Sequence, residues 1–209
     1  MGRLQLTASS SVETIKTGSP RESLAGGSVK GSILRAHVQW VAEQRSPGDL
    51  TDLRDALPGE ISHELSSFVL SSTWYPFSWL IGLDRTMIDL FATDESDLLA
   101  ELGRYSARLD LSPIHRLLNF RNPHEFFRLS AMQHSLLRDF GSAVYEPAGE
   151  RQGTMVHRHY GCFSPVDCET FIGYYEQAIW SHGPRQAFVE ELECQCHGAR
   201  NCRFQLSWQ

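Results

Sequence analysis

Hydrophobic periodicity changes once along this chain, at Gly141, and that change limits what it can build. Before it, apolar residues recur at the three- and four-residue spacing of a helix face. Ile33, Leu34, Val38, Trp40 and Val41 predict a helix over 30–44, broken by Ser46-Pro47-Gly48-Asp49. Leu50, Leu53 and Leu57 predict a second, short helix ending near Pro58-Gly59, and Ile61, Leu65, Phe68 and Val69 a third. A new unit opens at Ser72-Thr73-Trp74-Tyr75-Pro76-Phe77, where Pro76 suits a first helical turn and Ser72 or Thr73 a cap. Leu80 to Phe91 carry that helix to about residue 92, and Thr93-Asp94-Glu95-Ser96 caps the next, through Leu98, Leu102, Tyr105 and Leu109. Further helices are expected at 113–120 and 123–140, the last stopped by Gly141.

Beyond Gly141 the pattern becomes strand-like. Residues 143–145 and 154–160 have β character. Residues 165–180 read as one helix with Phe171, Ile172, Tyr175 and Ile179 on a face, ended by His182-Gly183-Pro184. Residues 186–195 and 201–208 read as two strands of a hairpin whose turn holds Gly198. The chain is expected to be α+β: a disordered Ser/Thr/Gly-rich tail over 1–27, then a single domain over 28–209, helical through 141 and strand-helix-hairpin after it.

The formal net charge is −6, with no run of basic residues, which argues against nucleic acid as a partner. No secretory signal stands at the start, and the uncharged stretch Leu65 to Leu83 carries too many Ser, Thr and Pro for a membrane span. A cytoplasmic protein is the expectation, with thiols kept reduced.

That matters because all five cysteines, Cys162, Cys168, Cys194, Cys196 and Cys202, fall near the C-terminus. The hairpin brings Cys194 and Cys202 together across its turn, and Cys168 comes from the first turn of the preceding helix. Strand alternation is less accommodating: Glu190, Leu192 and Cys194 share one face and Glu191 and Glu193 the other. Glu191 and Cys194 meet only if the strand twists or bulges between them. Spacing alone leaves three readings open: a metal site, buried thiols and redox chemistry, with Cys162, Cys196, His157, His159 and His197 as further donors.

The segments Cys168-Glu-Thr-Phe-Ile-Gly-Tyr-Tyr175, Glu191-Leu-Glu-Cys194 and Gly198-Ala-Arg-Asn-Cys202-Arg-Phe resemble the 4-vinyl reductase domain superfamily over roughly Cys168 to Trp208. The resemblance implies a structural Zn²⁺ held by Cys168, Glu191, Cys194 and Cys202, a closed tetrahedral shell. Through Val29-Lys30-Gly31-Ser32, Ser72 to Phe77 and the terminal hairpin, the chain from Val29 to Trp208 also resembles a myxobacterial family of proteins of about this size. The wider fold includes NO-sensing haem domains. It implies a helical layer packed on a twisted antiparallel sheet, with an apolar cavity between them. The Tyr-x-Ser-x-Arg signature of the haem sensors is absent.

No nucleophile elbow, phosphate-binding glycine loop or His-Glu-x-x-His is present. Trp74, Tyr75, Phe77 and Trp79, with Phe171 and Tyr175, are the candidate lining of a ligand pocket. His157 and His159 are expected on one strand face, and His115, His124 and His134 on helices. The expected function is a non-catalytic sensory or binding module with structural zinc. Its partners would be an apolar or aromatic small molecule and a protein that carries the signal on, with a homodimer left open. The alternatives are a protein-interaction scaffold of the same fold and an enzyme acting on a tetrapyrrole or aromatic substrate.

Overall fold

The computed structural model describes residues 19–67, 69–118 and 122–209, without the side chains of 66, 67 and 112–118. Four helices build the first half: α1 (Gly31–Gln44), α2 (Pro47–Ala56), α3 (Gly59–Ser67) and α4 (Phe77–Phe91). Helix α2 starts on a reciprocal capping box between Ser46 and Asp49, with Pro47 in its first turn. Two short strands, β1 (Ser28–Lys30) and β2 (Trp74–Pro76), pair antiparallel and clamp the starts of α1 and α4. The core of this half is the apolar stripe of each helix, as with Phe77, Leu80, Ile81 and Met87 of α4.

The second half rests on a four-stranded antiparallel sheet of β3 (Ser142–Gly149), β4 (Gln152–Arg158), β5 (Ala187–Glu193) and β6 (Cys202–Trp208), in the order β3-β4-β6-β5. Strand β6 alternates fully, burying Cys202, Phe204, Leu206 and Trp208. Helix α7 (Pro165–Trp180) lies against β5 and β6, and α6 (Pro123–Met132) against β3 and β4. Helix α5 (Glu95–Leu118) joins the halves by packing along α7. Glycines make that approach possible: a methyl group at Gly103 would collide with the Thr170 carbonyl oxygen, and one at Gly173 with the backbone of Ala100. The architecture is thus the expected helical layer on an antiparallel sheet.

Several boundaries differ from the sequence reading. One helix, α5, runs to Leu118 where a separate helix over 113–120 was expected. Helix α6 stops at Met132, not near 140, and a 3₁₀ turn at His134–Leu136 follows. The connector is then pulled out of helical register by pairing with β1, as Lys30 N–H donates to Leu137 O (2.9 Å) and Asp139 N–H to Ser28 O (3.1 Å). Residues 1–18 of the expected tail lie outside the described residues, but 19–27 are packed onto the domain. Arg21 N–H donates to Cys196 O (2.8 Å), Ser23 bridges Phe163 in both directions, and Phe77 N–H donates to Gly27 O (2.8 Å). Backbone pairing, which composition does not report, is what orders that stretch. Among the described residues, no helix is long and apolar enough to cross a membrane.

Candidate metal centre and central cavity

Cys168 sits in the first turn of α7, which Pro165 starts. Glu191 lies near the end of β5, Cys194 precedes a 3₁₀ turn (Gln195–His197), and Cys202 begins β6. The turn closes at Gly198, whose φ of 94° is left-handed and suits glycine. The strand parity that separated Glu191 from Cys194 is broken by a bulge. Glu191 pairs with Phe204 and Glu193 with Arg203, so Leu192 is the extra residue and swings outward at 51% exposure. Glu191 and Cys194 consequently converge.

One ligand atom from each of Cys168, Glu191, Cys194 and Cys202 lies within 4.8 Å of the others. The Cys168 Sγ stands 3.8 Å from that of Cys194 and 3.7 Å from that of Cys202. Sulfurs bound at about 2.3 Å around a tetrahedral Zn²⁺ stand about 3.8 Å apart. All five cysteines are free, and these separations are far beyond the ~2.05 Å of a disulfide.

The four groups also perturb one another's protonation. Glu191 Oε1 is buried without a partner, and burial, then the neighbouring Cys194, pushes its carboxyl up to about 8. Hydrogen bonds from the Cys168, Cys196 and Cys202 thiols draw Cys194 far toward the thiolate, while the Cys168 and Cys202 thiols are pushed up. Gln195 N–H donates to Cys202 Sγ (3.3 Å), the kind of outer hydrogen bond that orients a thiolate ligand. A carboxylate among thiols with one oxygen unmet fits a divalent cation. Cys196, the alternative ligand, is buried beside Cys168 and Cys194 but outside the four-atom group. Cys162 lies elsewhere, its thiol donating to Ala25 O (3.0 Å).

The other candidates are spread out. His157 and His159 do not share a face: β4 ends at Arg158, and His159 turns left-handed (φ 57°) into solvent. His157 is instead buried, its Nε2 2.6 Å from Tyr175 Oη. His197 is exposed. His124 bonds Tyr145 Oη (2.7 Å), and His134 bonds Phe140 O (3.2 Å). The His115 side chain is outside the described residues. Trp74 is 40% exposed beneath Lys30, while Tyr75 and Phe77 are core and Trp79 packs against them.

A cavity of about 80 Å³ lies between α1, α5, α7 and the sheet. Phe171 and Tyr175 line it, and the Trp74, Tyr75, Phe77 and Trp79 cluster does not. Sequence reasoning missed its polar wall. His37 and Asp84 occupy the buried stripes of α1 and α4, with His37 Nδ1 2.5 Å from Asp84 Oδ1. Two polar residues at core positions of two helices were the available signal. Arg138 and Asp167 line the cavity beside His37, Arg138 Nη2 donating to Asp167 Oδ1 (2.8 Å) in a buried ion pair.

No protein-family model and no curated protein matches the chain. Solved structures do. An H-NOX protein from S. oneidensis in the Fe(II)NO ligation state is 15% identical with a TM-score of 0.66, covering 86% of this chain and 99% of its own. An oxygen-binding H-NOX domain related to soluble guanylate cyclases is 12% identical at TM-score 0.64, covering 86% and 95%. An H-NOX structure in which haem distortion was probed is 12% identical at TM-score 0.65, with the same coverage. The fold is that of the H-NOX domains.

That fold implies haem, and the central cavity, as far as the described residues line it, does not fit it. Ligand pockets for drug-sized molecules run to about 300–1,000 Å³, against about 80 Å³ here. The rings of His134 and His157 are bound to protein partners. Aromatic side chains fill the space instead: Phe171 stacks on Tyr175 at 5.7 Å and meets His157 edge-on at 4.3 Å.

Proposed function

We propose that the chain is a non-catalytic ligand-binding sensory module whose terminal hairpin is fastened to α7 by a structural Zn²⁺ on Cys168, Glu191, Cys194 and Cys202. The observation that carries the metal is the convergence of those four ligand atoms within 4.8 Å around a buried carboxylate oxygen that has no partner. Four protein ligands would leave no open position for substrate, so the ion's contribution is to folding. It would join α7 to both strands of the terminal hairpin, and through the bond from Arg21 to Cys196 the segment before β1 as well. Five free thiols suit a reducing, cytoplasmic setting.

The sensory part of the reading draws on the H-NOX-like fold and on a cavity between its layers. Output would pass to a protein partner, for which Met132 and Leu136, 79% and 61% exposed at the end of α6 and in the turn after it, offer apolar contact.

Native mass spectrometry of protein purified without added metal tests the site. The expected result is one zinc per chain, lost together with thermal stability in Cys202→Ala. Cys162→Ala, outside the four-atom group, should retain the ion. A metal-free wild-type protein whose melting is unaffected by a chelator would refute it.

A further inference from the structure

A second cavity, of about 170 Å³, lies between α5, α6, the 3₁₀ turn after it and α7. It adjoins the central one, with which it shares Asp110, Ser130, Leu137 and Tyr174. One wall is apolar, with Phe126 and Leu129 of α6 followed by Leu136 and Leu137. Leu136 is 61% exposed, so the cavity opens to solvent at that edge. An apolar cavity of about 150 Å³ admits benzene, so this one has room for a single six-membered ring and a small head group.

Another wall carries Asp110. The residue is only partly buried, and neither of its carboxylate oxygens is both sealed from solvent and unpartnered. It accepts from Tyr174 Oη at 3.5 Å, a long contact. Among the described residues, no lysine, arginine or histidine forms an ion pair with it. Burial pushes its carboxyl up to about 6, which still leaves it charged at pH 7. A carboxylate in such surroundings without a counter-ion is costly, and a cation entering the cavity relieves that cost.

The lining decides the kind of cation. A hard metal ion takes about six or more oxygens, which a single carboxylate among leucines and aromatic rings does not supply. An ammonium group has three donors. Asp110 takes one, and the Ser130 hydroxyl and the Gln133 side-chain carbonyl, both on the lining, are acceptors for the others. The Phe126 ring offers a face to a cation and an apolar surface to the body that bears it. An anion is repelled by Asp110.

We infer that this cavity binds a primary amine borne on one ring-sized apolar body, with its ammonium on Asp110 and its body against Phe126, Leu129 and Leu137. This rests on the reading of the chain as a ligand-binding module, and is independent of the metal.

The test is titration of the ¹⁵N-labelled full chain at pH 7 with benzylamine, benzyl alcohol and benzoate, which share a shape and differ in charge. Benzylamine, protonated at that pH, is expected to shift the Ser130 and Gln133 amides saturably, at roughly millimolar concentration. Benzyl alcohol should bind about tenfold or more weakly, for want of one charge-assisted hydrogen bond, and benzoate more weakly still. Asp110→Asn should weaken benzylamine by a similar factor and leave benzyl alcohol unchanged. That variant loses a charge and keeps the side-chain shape, and the wild-type comparison stands without it. Benzyl alcohol or benzoate binding as tightly as benzylamine, or benzylamine binding unchanged by Asp110→Asn, overturns the amine class and leaves the binding-module reading standing. If none of the three binds, both fall.

Discussion

Asp110 carries a charge on α5 at the edge of the central cavity, where burial opposes it. Desolvation pushes its carboxyl from the ordinary 3.8 up to about 6, against the hydrogen bond from Tyr174 Oη (3.5 Å) and the proximity of His37. A raised carboxyl pKa means that the folded state holds the proton more tightly than the unfolded chain. The stability this gives is complete below about pH 4 and is lost as pH rises through about 6. At about 1.4 kcal/mol per pH unit, the displacement from 3.8 to about 6 corresponds to about 3 kcal/mol. Asp110 retains some exposure, which screens the charge, so about 2 kcal/mol is the working figure. Asp110→Asn removes the charge, keeps the shape and still accepts from Tyr174. At pH 7 it should therefore stabilise the protein by about 2 kcal/mol, raising the melting temperature by roughly 4–8 °C for a domain of this size. At pH 4, where the aspartate is itself neutral, the two proteins should melt together. Thermal melts followed by circular dichroism at both pH values decide it. A variant less stable than wild type at pH 7 would show that the Asp110 charge is paired, and would refute the desolvation argument.

Other substitutions probe the frame around the sites. Gly173→Ala drives a methyl group into the Ala100 backbone at the α5–α7 crossing, and should cost about 3 kcal/mol in urea unfolding; a neutral result would mean that the helices part easily. Phe204→Ala empties a fully buried site facing His157 (5.2 Å) and Tyr175 (5.6 Å), and should cost about 3–5 kcal/mol by the same assay. Gly198→Ala forces a side chain into the left-handed turn between Cys194 and Cys202, and should cost about 1–2 kcal/mol. With the proposed zinc bound, that variant should also lose it more readily than wild type to a competing chromophoric chelator.

The two periodicities were enough to place α1, α4, α7 and the terminal hairpin, because each has an apolar face of one clear period. Cysteine spacing brought Cys194 and Cys202 together for the same local reason, as the two sides of one turn, whereas Cys168 joins them only because α7 packs on that hairpin. Glu191 was not legible in that way. Its approach to Cys194 depends on Leu192 being squeezed out of β5, and the partner strand decides where a bulge falls. The short α6, the ordered segment over 19–27 and the left-handed His159 were likewise settled by pairing or turning against distant residues. The central cavity lay furthest from the sequence. His37, Ser106 and Arg138 come from α1, α5 and the connector before β3, and only their packing brings them to the lining of one space. Pattern fixes which face of an element is buried. Which buried groups then meet, and which are left wanting a partner, is a property of the assembled tertiary structure.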